Sequence, residues 1–329
     1  MKSVRLVFVI AALGTAIGLI FWIAGQPQGD RTRLLNGQNH SPAEVDPAAL
    51  KLALVPERDI FEQRQRYQVL ADYLASAIDQ PIQLMTLNTY DRVLSEMAQG
   101  HIDAAFVGSM VAVLAHDRLR VQVLVNPRLP DDVTTYRGVV FVKADSPIQS
   151  VQQLRGLQIA GVPATTAGDL YPIYLMHEKG LLQVADAPKM RWVGTHDDVI
   201  YEVIEGNVEA GACKNLRLNA WEAEHGKDKI RRLATGDEVP NNALIVRGDL
   251  PSARAHALRS ALLKMHETEP GRIALAKFGA KQFEPCGIEQ YQPIYRMTQA
   301  IGPAWKQLGI DGAPPKPVDV TTPTTGDEP

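Results

Sequence analysis

The chain has 329 residues, of which 45% are hydrophobic and 22% are charged, a composition typical of a globular protein of about two domains. The formal net charge is -3, and no basic cluster with interleaved aromatic residues is present, which argues against a nucleic-acid partner. Any anion-binding site must therefore be local rather than a general basic surface.

Residues 1–25 have the pattern of a targeting or anchoring segment. Lys2 and Arg5 precede an apolar run over residues 6–24, in which Thr15 is the one polar side chain. At about 1.5 Å per residue, this run nearly crosses a hydrocarbon core of about 30 Å. It fits either a membrane anchor or a cleaved signal peptide, and the poor cleavage site favours the anchor. Both place the remainder outside the cytoplasm, on the periplasmic side of the inner membrane, because the positive end stays inside.

Residues 26–49 are rich in Gly, Pro, Asn and charge and are predicted to be a linker, and residues 311–329 are predicted to be a disordered tail. Strand and helix patterns alternate between them. Strands are predicted at 51–55, 81–87, 104–107, 121–125, 139–142 and 243–246, and near Leu157, Met190 and Val208. Helices are predicted at 62–78, 90–98, 110–116, 252–268, 271–278 and 289–301, and at Gly168, Asp197 and Leu216.

This alternation predicts an α/β fold with a mainly parallel sheet and a second α/β unit after it. Ligands in such folds bind beyond the carboxyl ends of the strands. Ser109 and the pair Glu57-Arg58 follow strands in this way, so they are candidate ligand contacts. An ordinary surface ion pair is the alternative for Glu57 and Arg58.

The most informative motif is Val-Pro-Ala-Thr-Thr-Ala-Gly at residues 162–168, between a predicted strand and a predicted helix. The unpaired N–H groups and the positive dipole end of a helix start favour an anion, and the hydroxyls of Thr165 and Thr166 add donors. An ordinary threonine N-cap is the alternative. His196 follows Gly194-Thr195 and either caps the next helix or donates to an oxyanion.

Catalytic and metal-binding motifs are missing from the sequence. It contains no H-E-x-x-H, no CxxC, no Ser/His/Asp order and no phosphate-transfer motif. We therefore expect that the protein is not an enzyme and that it binds no metal and no cofactor. Cys213 and Cys286 lack metal-ligand spacing. In an oxidising compartment they are either free thiols or a disulfide.

Several motifs together resemble those of the phosphate/phosphite/phosphonate-binding proteins of ABC importers, over about residues 51–301. They are Val-Pro-Glu-Arg at 55–58, Thr-Tyr-Arg-Gly at 135–138, Thr-Thr-Ala-Gly at 165–168, Gly-Thr-His-Asp at 194–197 and Phe-Gly-Ala at 278–280. The resemblance implies a two-lobed type II periplasmic-binding-protein fold with a hinge. Lobe 1 would comprise residues 50–136 and 244–310, lobe 2 would comprise residues 137–243, and the ligand would be clamped between them.

The resemblance also implies ligand contacts. The family's Ser-Thr-Ser-Gly phosphonate loop matches residues 165–168, where alanine replaces one hydroxyl donor but keeps its N–H. The family's histidine and two of its tyrosines also have counterparts. The implied contacts are Thr165, Thr166, Ala167, Gly168, His196, Tyr90 and Tyr136.

Two departures from the family bear on the ligand. Members that bind aminoethylphosphonate hold its ammonium with two carboxylates, and the matching positions here are Arg217 and Asn242. Lys214 and Asn215 lie at the same predicted strand end. A cation in a closed cleft rejects an ammonium group, because like charges in a desolvated site cost several kcal/mol. An inorganic oxyanion, or a ligand with a second acidic group, therefore fits better than an aminophosphonate.

We therefore predict an extracytoplasmic solute-binding protein that delivers a phosphate-like oxyanion (phosphate, phosphite or phosphonate) to an ABC permease. One alternative is a membrane-tethered sensory protein that presents the oxyanion to a histidine kinase. The other is an enzyme that acts on phosphonates, which the missing catalytic motifs disfavour.

Overall fold

The computed structural model describes residues 48–55, 60–87, 91–308 and 314–316. The predicted anchor, the linker up to Pro47 and residues 317–329 lie outside these ranges, as do Glu57, Arg58 and Tyr90. The described residues all belong to the unit Ala48–Pro329. None of the helices in these ranges has the length and the apolar character that a membrane crossing needs.

Strands and helices alternate along most of the described chain. The strands are β1 (Leu50–Leu54), β2 (Ile82–Thr86), β3 (Ala104–Val107), β4 (Gln122–Arg128), β5 (Thr135–Lys143), β6 (Gln158–Gly161), β7 (Lys189–Trp192), β8 (Ala210–Lys214), β9 (Ile230–Pro240), β10 (Ala243–Val246) and β11 (Gln282–Pro285). The α-helices are α1 (Ile60–Ile78), α2 (Asp91–Ala98), α3 (Ser109–Leu119), α4 (Tyr171–Glu178), α5 (His196–Glu205), α6 (Asn215–His225), α7 (Ser252–Leu263), α8 (Glu269–Phe278) and α9 (Gln292–Ile301). A π-helical turn, Thr166–Leu170, leads directly into α4.

The strands form two sheets, which confirms the α/β class. The first sheet has the spatial order β11-β4-β10-β3-β1-β2, and the second has the order β7-β6-β8-β5-β9. We call the parts of the chain built on these sheets the first lobe and the second lobe. The core of the first lobe includes Leu50, Leu52 and Leu54 of β1, which are almost completely buried.

Most strands of each sheet run in one direction, as predicted, but both sheets are mixed because they also contain antiparallel strands. Strands β1, β2 and β3 are parallel, as are β6, β7 and β8, but β10 and β5 run antiparallel to their neighbours. The register gives the reason. Ala243 at the start of β10 pairs with Val107 at the end of β3, and Gly138 near the start of β5 pairs with Lys214 at the end of β8. A strand that enters a sheet at the carboxyl edge of the others must run in the opposite direction.

The chain passes between the two sheets twice, and the two crossings lie side by side. Thr135 at the start of β5 pairs with Pro240 at the end of β9. Beside this pair, the N–H of Asn241 donates to the carbonyl of Thr134 at 2.8 Å. The crossings lie close to the predicted lobe limits at residues 136/137 and 243/244, and the exact division into lobes stays a prediction.

Two strands, β9 and β11, were not predicted from the sequence. Strand β9 lies at the edge of the second sheet, where it pairs with β5, and β11 lies at the edge of the first sheet, where it pairs with β4. Edge strands carry charges that discourage pairing with other chains, so they lack a continuous apolar run. Arg231, Arg232, Asp237 and Glu238 interrupt β9 in this way.

Three aromatic side chains from separate elements pack together in the first lobe. Tyr67 of α1, Phe106 of β3 and Phe278 of α8 lie with their ring centroids 5.2 to 5.5 Å apart. We call these three residues the aromatic cluster. All three are buried, so their rings are held in fixed positions.

The two cysteines are free and buried, so they form no disulfide. Cys213 lies on β8 in the second lobe, whereas Cys286 follows β11 in the first lobe. Burial raises the pKa of Cys213 far above its usual range and raises the pKa of Cys286 to about 11. Neither thiol therefore has appreciable thiolate character near neutral pH.

We expect both thiols to resist a thiol-specific reagent in the native protein at pH 8, because the reactive thiolate is disfavoured and buried. Denaturation without a reductant should expose both cysteines to the reagent. Titration with a chromogenic disulfide reagent measures this. If the denatured, unreduced protein had no reactive thiol, the two cysteines would be paired and the prediction would be wrong.

Candidate functional site

Four helical segments begin around one small cavity between the two lobes. Three of these starts are marked by their N-cap residues: Gly108 caps α3, Thr165 caps the turn that leads into α4, and Lys214 caps α6. The fourth start is that of α5, whose first residue is His196. The cavity measures about 10 Å³ and is lined by Gly108, Tyr136, Ala164, Thr165, Thr166, His196, Lys214 and Asn242. Helix starts carry unpaired N–H groups and positive dipole ends, so their convergence favours an anion.

The two predicted threonines have different roles. The hydroxyl of Thr165 donates to the carbonyl of Val162 at 2.8 Å and accepts from the N–H of Gly168 at 3.1 Å. Thr165 is therefore the N-cap of the helical segment, and its proton is directed to the backbone. For this residue the alternative of an ordinary cap is confirmed.

Close backbone packing explains the glycine at the end of the motif. A Cβ on Gly168 would lie 2.7 Å from the backbone nitrogen of Val162, and a Cβ on Gly161 would lie 2.2 Å from the carbonyl oxygen of Gly168. Contacts this short with backbone atoms are not tolerated. The two glycines therefore let the strand β6 and the turn that follows it approach closely, which fixes where Thr166 sits.

Thr166 joins the two lobes at the cavity. The backbone N–H of Met110, in the first turn of α3, donates to Oγ1 of Thr166 at 2.9 Å. Both residues are almost completely buried. A hydroxyl of the second lobe thus satisfies one of the N–H groups that the start of α3 leaves without an intrahelical partner.

Ser109 and Tyr136 form a second contact between the lobes. The hydroxyl of Ser109 donates to the carbonyl of Pro240 at 2.6 Å, and the two hydroxyls are 3.2 Å apart. A carbonyl oxygen only accepts, so the proton of Ser109 is committed to Pro240 and Tyr136 is the donor to Ser109. Both predicted residues therefore sit at the crossing of the chain between the sheets.

Lys214 places a positive charge beside the cavity. Its Nζ donates to Oδ1 of Asn241 at 2.6 Å and to Oδ1 of Asn242 at 3.3 Å, and it lies 4.4 Å from the centroid of the Tyr136 ring. The residue is buried, with 7% of its surface exposed. Buried ammonium groups need compensating contacts, and amide oxygens and an aromatic face supply them.

His196 lines the cavity and is buried, but it does not cap its helix. The cap of α5 is Thr195, whose side chain accepts from the N–H of Asp198 at 3.1 Å while Asp198 accepts from the N–H of Thr195 at 2.8 Å. This capping box makes the alternative that His196 is the cap wrong. The imidazole is therefore placed toward the cavity by its position at the first residue of α5.

Arg217 faces a second, larger cavity and is ion-paired. Its guanidinium makes a bidentate contact with Asp197, at 2.9 and 2.6 Å. The larger cavity measures about 500 Å³, and it shares Lys214 and Asn242 with the smaller one. Because Asp197 balances its charge, Arg217 is a weaker repellent of ammonium than its charge alone implies.

Other predicted contacts do not line the small cavity. Asn215 accepts from the backbone N–H of Arg137 at 2.8 Å, and neither it, Ala167 nor Gly168 is among the lining residues. Asn241 and the Met110 N–H were missed from the sequence. The one signal for them in the sequence is that each lies next to a predicted residue: Asn241 precedes Asn242, and Met110 follows Ser109.

The residue that follows the motif at 162–168, Asp169, has a buried carboxyl group. Asp169 is completely buried, and its Oδ2 accepts from the N–H of Ala164 at 2.8 Å. Within the described residues, its Oδ1 has no hydrogen-bond partner. Burial raises the pKa of Asp169 to about 7, against a smaller lowering by the Ala164 N–H. The group holds Ala164 in the left-handed conformation, with φ of 58°.

We expect the Asp169→Asn variant to become increasingly more stable than the wild type as the pH rises from 3.8 to about 7. The pKa of the folded state, about 7, lies above the ordinary value of 3.8, so the folded protein retains a proton that the unfolded chain loses between these pH values. Wild-type stability therefore falls across this window, by up to about 4 kcal/mol relative to the variant. Urea denaturation of both proteins at pH 4, 6 and 8 measures the difference. A difference that stays constant with pH would contradict the assignment.

Comparison with known proteins supports the architecture. A family profile described as "ABC transporter, phosphonate, periplasmic substrate-binding protein" matches residues 52–291. The chain is 22% identical over 203 residues to the phosphate-import protein PhnD of Mycolicibacterium smegmatis, covering 59% of this chain and 63% of that protein. It is 22% identical over 216 residues to the phosphonates-binding periplasmic protein of Escherichia coli, covering 64% of each. The chain thus spans less than two thirds of the length of both relatives.

A solved structure shares the fold. PhnD1 from Prochlorococcus marinus, solved in complex with methylphosphonate, matches with a TM-score of 0.66 at 19% identity, covering 77% of this chain and 98% of that one. The predicted two-lobed type II fold is therefore confirmed. Since the family profile also covers more than half of the sequence, the chain belongs to the family of periplasmic substrate-binding proteins of phosphonate ABC transporters.

Proposed function

We propose that the protein binds a phosphate-like oxyanion in the small cavity, with the two lobes closed around it. The observation that carries this proposal is the convergence of four helix starts and the buried ammonium of Lys214 on the same few residues. Helix dipoles and a buried cation are complementary to a compact anion. The family membership supports the same ligand class.

The oxyanion enters by replacing a contact between the lobes. A volume of about 10 Å³ holds roughly one water molecule, which is less than a phosphonate head group needs. The hydrogen bond between Met110 and Thr166 occupies the space between two helix starts. When the lobes separate, this bond is released, and an oxyanion then accepts both the Met110 N–H and the Thr166 hydroxyl as the lobes close.

The remaining donors surround the head group. Lys214 supplies charge, His196 supplies a ring nitrogen, and the N–H groups at the helix starts supply directed hydrogen bonds. The hydroxyl of Thr165 stays committed to its cap, and its contribution is to hold the loop in place. Tyr90, from the family resemblance, and Glu57, from its place after the first strand, remain proposed contacts.

The bound anion is then delivered to an ABC permease. Closure of two lobes creates a surface that the open protein lacks, and a permease can recognise that surface. A relative named for phosphate import favours this partner over a histidine kinase. We place the protein on the periplasmic side of the inner membrane, held there by residues 6–24 or released after their cleavage. Phosphate, phosphite and small phosphonates are the proposed ligands.

The loop residue Thr166 provides the first test. Thr166→Ala should weaken the binding of methylphosphonate by about ten- to a hundredfold, because a hydrogen bond to a charged group is lost. Calorimetry on the full chain in mild detergent measures the affinity.

Thr268→Ala is the matched control, since Thr268 caps α8 through the N–H of Gly271, outside both cavities. It should lower stability by about 1 kcal/mol without changing the affinity. Unchanged affinity in Thr166→Ala would show that this loop does not hold the anion.

The choice between ligands provides a second test. We expect phosphate, phosphite and methylphosphonate to bind more tightly than aminoethylphosphonate, by about tenfold or more, because the ammonium of Lys214 repels a second ammonium. Competition calorimetry with the four compounds at one pH and salt concentration measures the order. Tighter binding of aminoethylphosphonate than of phosphate or phosphite would show that Lys214 does not exclude an ammonium group from the site.

A further inference from the structure

The larger cavity, of about 500 Å³, continues from the oxyanion cavity. Both are lined by Lys214 and Asn242, so a group bound to the head group would extend past these two side chains into the larger space. A volume of this size lies in the range that protein sites use for organic ligands. Inorganic phosphate and methylphosphonate would leave it unused.

One wall of the larger cavity is aromatic. All three members of the aromatic cluster line it, together with Pro127, Leu129 and Pro130. The rings are already fixed by packing on one another at 5.2 to 5.5 Å. A planar group placed against them therefore gains contact area without the entropic cost of ordering the wall.

The two guanidinium groups that line this cavity have partners of their own, and Asp131 adds a carboxylate to its wall. Arg217 is paired with Asp197, and Arg66 donates to the carbonyl of Phe278 at the C-terminal end of α8, where a cation is favoured. Two guanidiniums that are compensated in this way do not call for a second anionic group. The amide oxygens of Asn241 and Asn219 already accept from Lys214 and Arg232, so it is their NH2 groups that would donate to polar atoms of a neutral substituent.

We propose that the ligand is an organic phosphonate or phosphate monoester whose substituent is neutral and about the size of a ring, with the substituent in the larger cavity. This inference rests on the proposed function, because it assumes that the head group binds in the small cavity. It narrows the ligand class from small oxyanions to substituted ones.

The experiment compares phenylphosphonate with methylphosphonate, which differ only in the substituent. Calorimetry uses the full chain, the variant Ala220→Trp and the control Ala98→Trp. Ala220 is an exposed residue of α6 that lines the larger cavity and not the small one. Ala98 is an exposed residue at the end of α2 that lines a separate cavity beside Arg120.

We expect the wild type to bind phenylphosphonate about tenfold or more tightly than methylphosphonate, because the ring buries apolar surface. Ala220→Trp should remove this advantage and leave the affinity for methylphosphonate within about twofold, whereas Ala98→Trp should change neither. An advantage that is absent in the wild type, or that survives in Ala220→Trp, would overturn the inference while the proposed function stands. If neither compound bound, the proposed function would fail, and this inference with it.

Discussion

The hydrogen bond from the Met110 N–H to the Thr166 hydroxyl is the contact on which the rest of the site depends. It joins the start of a helix in one lobe to the start of a helical segment in the other, and both starts carry positive dipole ends. Two such ends repel each other unless an acceptor lies between them. The threonine oxygen is a weak acceptor for this purpose, and an oxyanion is a stronger one. An oxyanion between these two helix starts would therefore accept from both, in place of the direct bond that joins them now.

Several local contacts hold Thr166 in the position from which it accepts the Met110 N–H. Gly161 and Gly168 let two backbone segments approach, Thr165 closes the turn, and Asp169 fixes Ala164 from below. These groups shape the site without needing to touch a ligand. Burial also raises the pKa of Asp169 to about 7, so this carboxyl group is partly neutral near physiological pH and would repel a nearby anion less than an ionised carboxylate would.

Local patterns in the sequence predicted the α/β class, the motif and its strand-to-helix position, because hydrophobic periodicity and cap chemistry act over a few residues. They did not distinguish Thr165 from Thr166, since which hydroxyl faces the other lobe depends on a contact 56 positions away along the chain. The pairing of Arg217 with Asp197 and the burial of Lys214 are also tertiary outcomes. Strands β9 and β11 were missed because charged residues within them interrupt the apolar pattern that a sequence search expects.

A crystal structure of the protein with methylphosphonate would show whether an oxyanion replaces the bond between Met110 and Thr166. We expect the phosphonate to lie among the starts of α3, α5, α6 and the turn leading into α4. We also expect its oxygens to accept from the Met110 N–H and the Thr166 hydroxyl, with the direct bond between these two groups broken. A head group bound elsewhere, or a complex in which the Met110–Thr166 bond is intact, would contradict this expectation.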